Sequence, residues 1–303
     1  MRATLLAERG VLKVAGDGGR NFLHGLVTAD ILGLQPGEAR FCALLSPQGK
    51  VLADFLVTEA PAQAGGGFFL DCPRELCASL LERLNRYKLR SKVVIEDLSA
   101  SLGVLAAWNG AALPRPAETG GTFGPAYADP RLPALGIRMT VPPDRAGAAA
   151  AALGATMVDA ADYEAHRIAL GVPRGGVDFA YGDAFPHETD MDQLAGVDFG
   201  KGCYVGQEVV SRMEHRGTAR TRAVPIRYDG SAPPAGSAIT AGGRQLGTIG
   251  SAAAGRAIAL LRLDRVADAL ARGEPLLAAD VPVHLIKPEW ARFSVPEEPK
   301  PAE

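Results

Sequence analysis

The run Lys201-Gly202-Cys203-Tyr204-Val205-Gly206-Gln207-Glu208 sets a thiol beside a cation and two glycines. The spacing of Val205, Val209 and Met213 predicts a helix from about Val205 to Arg216, with Gly217 as its C-terminal stop. A cysteine just ahead of a helix feels the positive end of the dipole and unbonded backbone N–H groups. Lys201, two residues away, adds a positive charge. Both effects favour thiolate, the form in which a cysteine does chemistry or binds a partner. The competing reading is a small buried residue in a tight glycine-rich turn, and the segment alone leaves both open.

A nucleophilic thiol needs a base within hydrogen-bond reach. Ten residues of continuous helix separate Val205 from His215 by roughly 15 Å, so His215 fails as that base. His187 remains able to approach through folding. Cys72 and Cys77 lack the paired His/Cys set of a zinc site, and the same lack argues against a four-cysteine iron–sulfur cluster held by this chain alone. Cys42 in an apolar strand and Cys77 on an apolar helix face read as core residues. Arg212, His215, Arg216, Arg220 and Arg222 form one basic stripe, and Arg83, Arg86, Lys88, Arg90 and Lys92 a second. Each is either a solvated face or a docking surface for a carboxylate or phosphate. Asp54 interrupts an apolar strand and, taken alone, points to solvent. Glu188, after Phe185-Pro186-His187, is unremarkable in isolation.

These residues sit in 303 positions of ordinary globular composition, 47% hydrophobic and 22% charged, with a formal net charge of −2. The balance excludes a general nucleic-acid binder, and no direct DNA binding is expected. No apolar run reaches the roughly 18 residues of a membrane span, and Met1–Gly10 lacks the apolar core of a signal peptide. Four irregularly spaced cysteines fit a reducing compartment, so the expected location is cytoplasmic.

The elements that must position the thiol fall into three stretches. Residues 1–100 read as a first α/β unit: a strand at Val11–Ala15, a helix capped by Asp17 carrying Phe22, Leu23 and Leu26, strands at Phe41–Leu45 and Val51–Val57 joined by Ser46-Pro47-Gln48-Gly49, a short strand at Phe68–Leu70, a helix over Arg74–Tyr87 and a strand at Val93–Ile95. Residues 101–219 read as a second such unit, with strands at Leu102–Ala107 and Ile137–Val141, a loop over Leu113–Pro125, and helices near Asp144–Leu153 and Ala161–Leu170. Residues 220–295 show short β-type runs at the spacing of a small barrel, and Pro296–Glu303 a disordered tail. The fold class is α+β.

The run from Lys201 to Glu208, continued through Val209-Val210-Ser211-Arg212-Met213 and His215-Arg216-Gly217, resembles the signature of the YgfZ-type folate-binding proteins. These are relatives of the aminomethyltransferase (T protein) of the glycine cleavage system and of the mitochondrial iron–sulfur assembly factor of the same family. Weaker matches occur in order at Leu26, Thr28 and Asp30, at Gln48-Gly49-Lys50-Val51-Leu52, at Arg90-Ser91-Lys92-Val93, at Asp129-Pro130-Arg131, and at Arg167-Ile168 with Gly171-Val172-Pro173. The resemblance implies a three-domain ring of two α/β units and a C-terminal β-barrel around a folate-sized opening. It implies tetrahydrofolate or a derivative as ligand, and support of iron–sulfur cluster assembly or repair, including enzymes that modify tRNA. Partners would be folate, iron–sulfur assembly factors or client enzymes. Cys203 falls on the family cysteine, with Lys201 beside it, and Asp54 on the essential aspartate of the transferase relatives. Tyr163 would stack on folate, while Glu188, Tyr204, Gln207 and Arg216 would complete the binding set; no metal is expected. A tryptophan of some relatives is replaced here by Arg9 or its neighbours. The alternative activity is a folate-dependent aminomethyltransferase.

Overall fold

A computed structural model describes residues 1–89, 91–110, 123–217 and 219–297. The chain divides into two compact units, Met1–Tyr163 with Leu194–Gln207, and Glu164–Gln193 with Glu208–Glu303. In the first unit the elements run β1 (Arg2–Leu5), β2 (Arg9–Ala15), α1 (Gly19–His24), β3 (Ala39–Leu45), β4 (Val51–Glu59), β5 (Phe68–Pro73), α2 (Cys77–Lys88), β6 (Val94–Asp97), β7 (Gly103–Trp108), β8 (Ala126–Ala128), β9 (Ile137–Val141), α3 (Ala146–Ala152) and β10 (Thr156–Met157). Then come α4 (Ala160–Ala169), which spans the division, and α5 (Gln207–Arg216). Two five-stranded sheets result, β3-β4-β5-β2-β6 and β10-β1-β7-β9-β8.

Strand periodicity decides what each sheet face carries, because successive side chains point to opposite faces. Ala53, Phe55 and Val57 of β4, Phe68, Leu70 and Cys72 of β5, and Leu12 and Val14 of β2 join one apolar cluster with α1 and α2. The alternate residues Arg9, Asp54, Leu56 and Asp71 take the other face. In the second sheet Leu105, Ala107, Ile137 and Met139 pack with α3. Trp108 and Arg138, one residue out of phase with them, take the opposite face.

Those two polar faces meet. Arg138 Nη1 donates to Asp71 Oδ2 at 2.6 Å and its Nε to Asp129 Oδ2 at 2.9 Å. Arg9 Nε donates to the other oxygen of Asp71 at 2.5 Å, and Arg131 grips Asp129 with two bonds of 2.9 and 2.7 Å. All of these carboxylates and Arg138 are buried. Burial opposes ionisation of Asp71 and Asp129, yet the arginines overcome it and hold both carboxyls below the ordinary range.

The second unit carries a closed barrel in the order β11 (Thr221–Tyr228), β14 (Arg256–Arg262), β13 (Arg244–Ala253), β12 (Ala238–Ala241), β15 (Leu277–Ala278) and β16 (Val281–Leu285). Helix α6 (Leu263–Ala271) packs Val266, Ala269 and Leu270 into the barrel core. The irregular stretch before the barrel is fixed by two arginines. Arg167 binds Asp178 at 2.8 Å and Ser251 at 2.7 Å, and Arg222 binds Asp192 at 2.6 and 2.9 Å.

Several expectations change. Gly18, not Asp17, precedes α1 and makes no side-chain cap; Leu26 lies beyond the helix end. Strand β1 was not foreseen, and it pairs antiparallel with β7 and parallel with β10, so the stretch 1–100 supplies a strand to the sheet assigned to 101–219. Residues 164–193, expected in the second α/β unit, fall with the barrel, whereas 194–207 fall with the sheets. Leu263, read in the sequence as the end of a strand from Ile258, begins α6 instead; β12, β15 and α6 were not foreseen, although Leu263, Val266 and Leu270 recur at helical spacing in α6. Arg90, most of the Leu113–Pro125 loop and the end of the Pro296–Glu303 tail lie outside the described residues.

Removing Arg138 leaves two buried carboxylates short of their shared counter-ion. We expect Arg138→Met to destabilise the first unit by about 3–5 kcal/mol, read as a lower urea midpoint. Because Asp71 and Asp129 titrate lower folded than unfolded, their contribution is complete above the unfolded value of about 3.9 and fades as pH falls toward the folded values. The wild-type urea midpoint at pH 3 should therefore lie below that at pH 7, and an unchanged midpoint would remove these carboxylates from the stability account.

Candidate functional site around Cys203

Of the four cysteines, Cys203 is exposed and Cys42, Cys72 and Cys77 are buried. The cause is the way its neighbours dock. Asp198 N donates to Thr28 O at 2.9 Å, and the Thr28 hydroxyl donates to Gly196 O at 2.5 Å. Asp198 Oδ1 accepts the N–H groups of Gly200 and Lys201 at 2.8 and 3.1 Å, tightening the turn that leads to the thiol. Val205 packs on the core of the first sheet. Gly206 has φ +83°, and a Cβ there would stand 2.6 Å from Ser46 O and 3.1 Å from Gly49 Cα in the β3–β4 turn. Only glycine allows that approach.

Lys201 does a different job from the one expected. Its ammonium is buried and donates to the carbonyls of His24 and Val27 at 2.5 Å each and of Ala29 at 3.1 Å. These lie at and just past the C-terminus of α1, where the dipole favours a cation. All three ammonium protons are thus committed to backbone oxygens. Burial pulls the Lys201 amine down from its ordinary value. The ring of Tyr204 lies 5.1 Å from the same nitrogen and is itself buried, which pushes its hydroxyl up to about 12. So Lys201, Tyr204 and Gly206 anchor the segment, and Cys203 is the side chain left outside.

The helix expected from Val205 starts at Gln207, and Gly217 ends it at φ +58°. Val210 is its buried residue, while Val209 and Met213 are half-buried, a narrower apolar face than the four-residue spacing implied. Gln207 opens the helix with its N–H on Tyr204 O at 3.3 Å. Arg216 is exposed in the last turn.

The remaining expected residues are dispersed. Asp54 is 8% exposed rather than solvent-facing, on the polar face of β4, where it bears electrostatically on Arg9. Arg9, which with its neighbours was expected where some relatives carry a tryptophan, is bound to Asp71 there. Tyr163 is buried with its ring edge-on to Trp108 at 5.2 Å and its hydroxyl 3.4 Å from Arg138 Nη2. In the other unit Glu188 is half-buried and accepts the Phe185 N–H at 2.8 Å. His187 there pairs through Nε2 with Glu214 at 3.0 Å. His187, Asp192 and Glu214 offer ligand atoms within 4.8 Å of one another, but the Arg222 guanidinium already spans both oxygens of Asp192.

His24 escaped the sequence reading. It ends α1, its Nδ1 lies 3.1 Å from Asp30 Oδ1, and a Cβ on Gly202 would stand 4.0 Å from its Nε2. Burial, then the charge of Lys201, lower its pKa, so the ring is neutral at pH 7. No local pattern could reveal this, because 178 positions of chain separate it from Gly202. A cleft of about 440 Å³ lies beside the same turn, with Asp30, Arg40, Phe41, Asp198 and a 42%-exposed Phe199 in its walls.

Gly206→Ala should cost about 2 kcal/mol or more, through the left-handed backbone and the contact with Ser46 O, read as a lower urea midpoint. A bulky maleimide on the native protein should label Cys203 first, the other three thiols reacting only on unfolding. Peptide mapping of the singly labelled species checks the order.

Comparison with known proteins fits this geometry. The family profile described as the CAF17 C-terminal beta-barrel domain matches residues 220–293. Over 241 residues the chain is 38% identical to the protein named iron-sulfur cluster assembly factor IBA57 homolog, mitochondrial, of Mycosarcoma maydis, covering 75% of this chain and 58% of that one. The mouse protein named iron-sulfur cluster assembly factor IBA57, mitochondrial, is 30% identical over 311 residues, covering 94% of this chain and 84% of its own. The chain spans only 55–58% of the length of three fungal relatives. The glycine cleavage system aminomethyltransferase T of Bartonella henselae superposes with a TM-score of 0.73 over 98% of this chain and 87% of its own, at 16% identity, which establishes the aminomethyltransferase-like fold. The chain belongs to the IBA57 family of iron–sulfur cluster assembly factors.

Proposed function

We propose that this protein is an accessory factor of iron–sulfur cluster assembly or repair that binds tetrahydrofolate or a derivative and presents Cys203 to a partner. The observation that carries the reading is the exposed thiol on a segment whose neighbouring side chains are all committed to anchoring it. An exposed thiol on an anchored turn is accessible to another macromolecule. The partners in this reading are assembly factors or client iron–sulfur enzymes, including those that modify tRNA, as the names of the relatives support for the general role.

In the first unit Asp54 is a carboxylate able to accept from pterin N–H groups; in the second, Glu188 has the same capacity and Arg216 carries a guanidinium able to bind a carboxylate. Tyr163 contributes less in this reading than the family resemblance implied, since it is buried and packed against Trp108. A reducing compartment suits four unpaired thiols, and no helix among the described residues is long and apolar enough to cross a membrane. A second reading, a folate-dependent aminomethyltransferase, draws on the retained Asp54 and the shared fold. An assay for methylene-tetrahydrofolate formation from an aminomethyl donor separates it, and turnover there would displace the accessory role.

Calorimetry with tetrahydrofolate should show binding, and its absence at millimolar ligand would remove the folate half of the proposal. Cys203→Ser should leave that heat unchanged while abolishing the protein's support of an iron–sulfur enzyme in a strain lacking its own homologue. Full support by the serine variant would refute the role of the thiol.

A further inference from the structure

Two of the buried cysteines are not ordinary core residues. Cys72, in β5, and Cys77, the first residue of α2, place their sulfurs 3.6 Å apart. Cys77 Sγ also lies 3.5 Å from Ser99 Oγ, and that oxygen accepts the Val11 N–H at 3.0 Å. Gly10 keeps the space open, since a Cβ there would collide with Cys77 Sγ and stand 2.6 Å from Ser99 Oγ. The three groups come from β5, α2 and the turn after β6, so the arrangement is built by tertiary packing.

The pair is asymmetric. The bond between the two sulfurs raises the Cys72 thiol well above its ordinary value, burial adding to the shift. The same bond, helped by Ser99 and opposed by burial, lowers Cys77 to about 7. At neutral pH Cys77 is therefore thiolate in substantial part while Cys72 keeps its proton, as peroxide attack and disulfide closure require. Two sulfurs and a hydroxyl fall short of a zinc ligand set.

We propose that Cys72 and Cys77 are a redox pair that small peroxides oxidise to an internal disulfide. The Cys77 thiolate attacks one peroxide oxygen and the O–O bond breaks. The departing hydroxide takes up a proton as water, and Cys77 becomes a sulfenic acid. The Cys72 sulfur then attacks the Cys77 sulfur. Its proton leaves with the displaced hydroxyl as a second water. Two thiols and one hydrogen peroxide thus give one disulfide and two waters, each sulfur giving up one electron. Closure to the disulfide length of about 2.04 Å draws the start of α2 onto β5, and a small thiol such as glutathione reverses it.

Trypsin reads the product, because Arg74 lies between the two cysteines. The full chain is treated with hydrogen peroxide, denatured, alkylated and digested. Peptides Val51–Arg74 and Glu75–Arg83 should emerge joined, two hydrogens lighter than their sum, and separate with dithiothreitol. The same product should form in Cys203→Ser, and its rate should rise as pH passes about 7. The proposal fails if both cysteines stay alkylatable at peroxide doses that consume Cys203, or if Cys77 advances to sulfinic acid with Cys72 still reduced. The wild-type measurement needs no variant to fold, and its failure would leave the assembly role of Cys203 intact.

Discussion

Asp71 holds the first unit together by accepting from both sheets at once, from Arg9 on its own sheet and from Arg138 on the other. Two charges buried without partners would each cost several kcal/mol. Here every carboxylate oxygen in the cluster has an arginine on it, and Asp129 repeats the arrangement with Arg138 and Arg131. The pairing also fixes orientation. An apolar interface would let the sheets slide, whereas planar guanidinium forks match carboxylates in one geometry. Asp54 sits on this same face, so its setting is an electrostatic neighbourhood defined by Arg9 rather than a solvent edge.

The Cys203 segment uses the same economy with different groups. It has no regular secondary structure between Leu194 and Tyr204, yet its backbone is tied to the Thr28 and Asp198 side chains and the Lys201 side chain to the end of α1. Lys201 satisfies carbonyls left over where α1 stops, a capping task performed from far away in sequence. Its ammonium is thereby held at the end of α1. What the docking provides is position: the thiol stands outside the packed layer, next in sequence to Gly202, which faces His24.

Arginine forks also fix the long irregular stretch of the second unit. Arg167 draws Asp178, Ser251 and the Val172 carbonyl together, and Arg222 draws Asp192 and the His187 carbonyl. A loop of that length without such clamps would pay a large conformational entropy on ordering. Cys72 and Cys77 show the same logic at smaller scale, two polarisable groups made reactive only by the element that brings each one in.

What the sequence determined by itself was local. The apolar run Val51–Val57, the turn at Ser46–Gly49, the helical spacing of Leu76 to Leu84 and the barrel-like runs after Arg220 reported their elements because each depends on neighbours within a few residues. The Lys201–Glu208 signature likewise revealed the family. Tertiary structure decided the rest. That β1 leaves its own stretch to pair with β7, that Lys201 caps α1, that Asp54 is buried and that His24 faces Gly202 all depend on contacts between residues distant along the chain. Those contacts follow from which faces can be buried together with their charges paired, a condition set by the whole fold, and no window of sequence contains both partners.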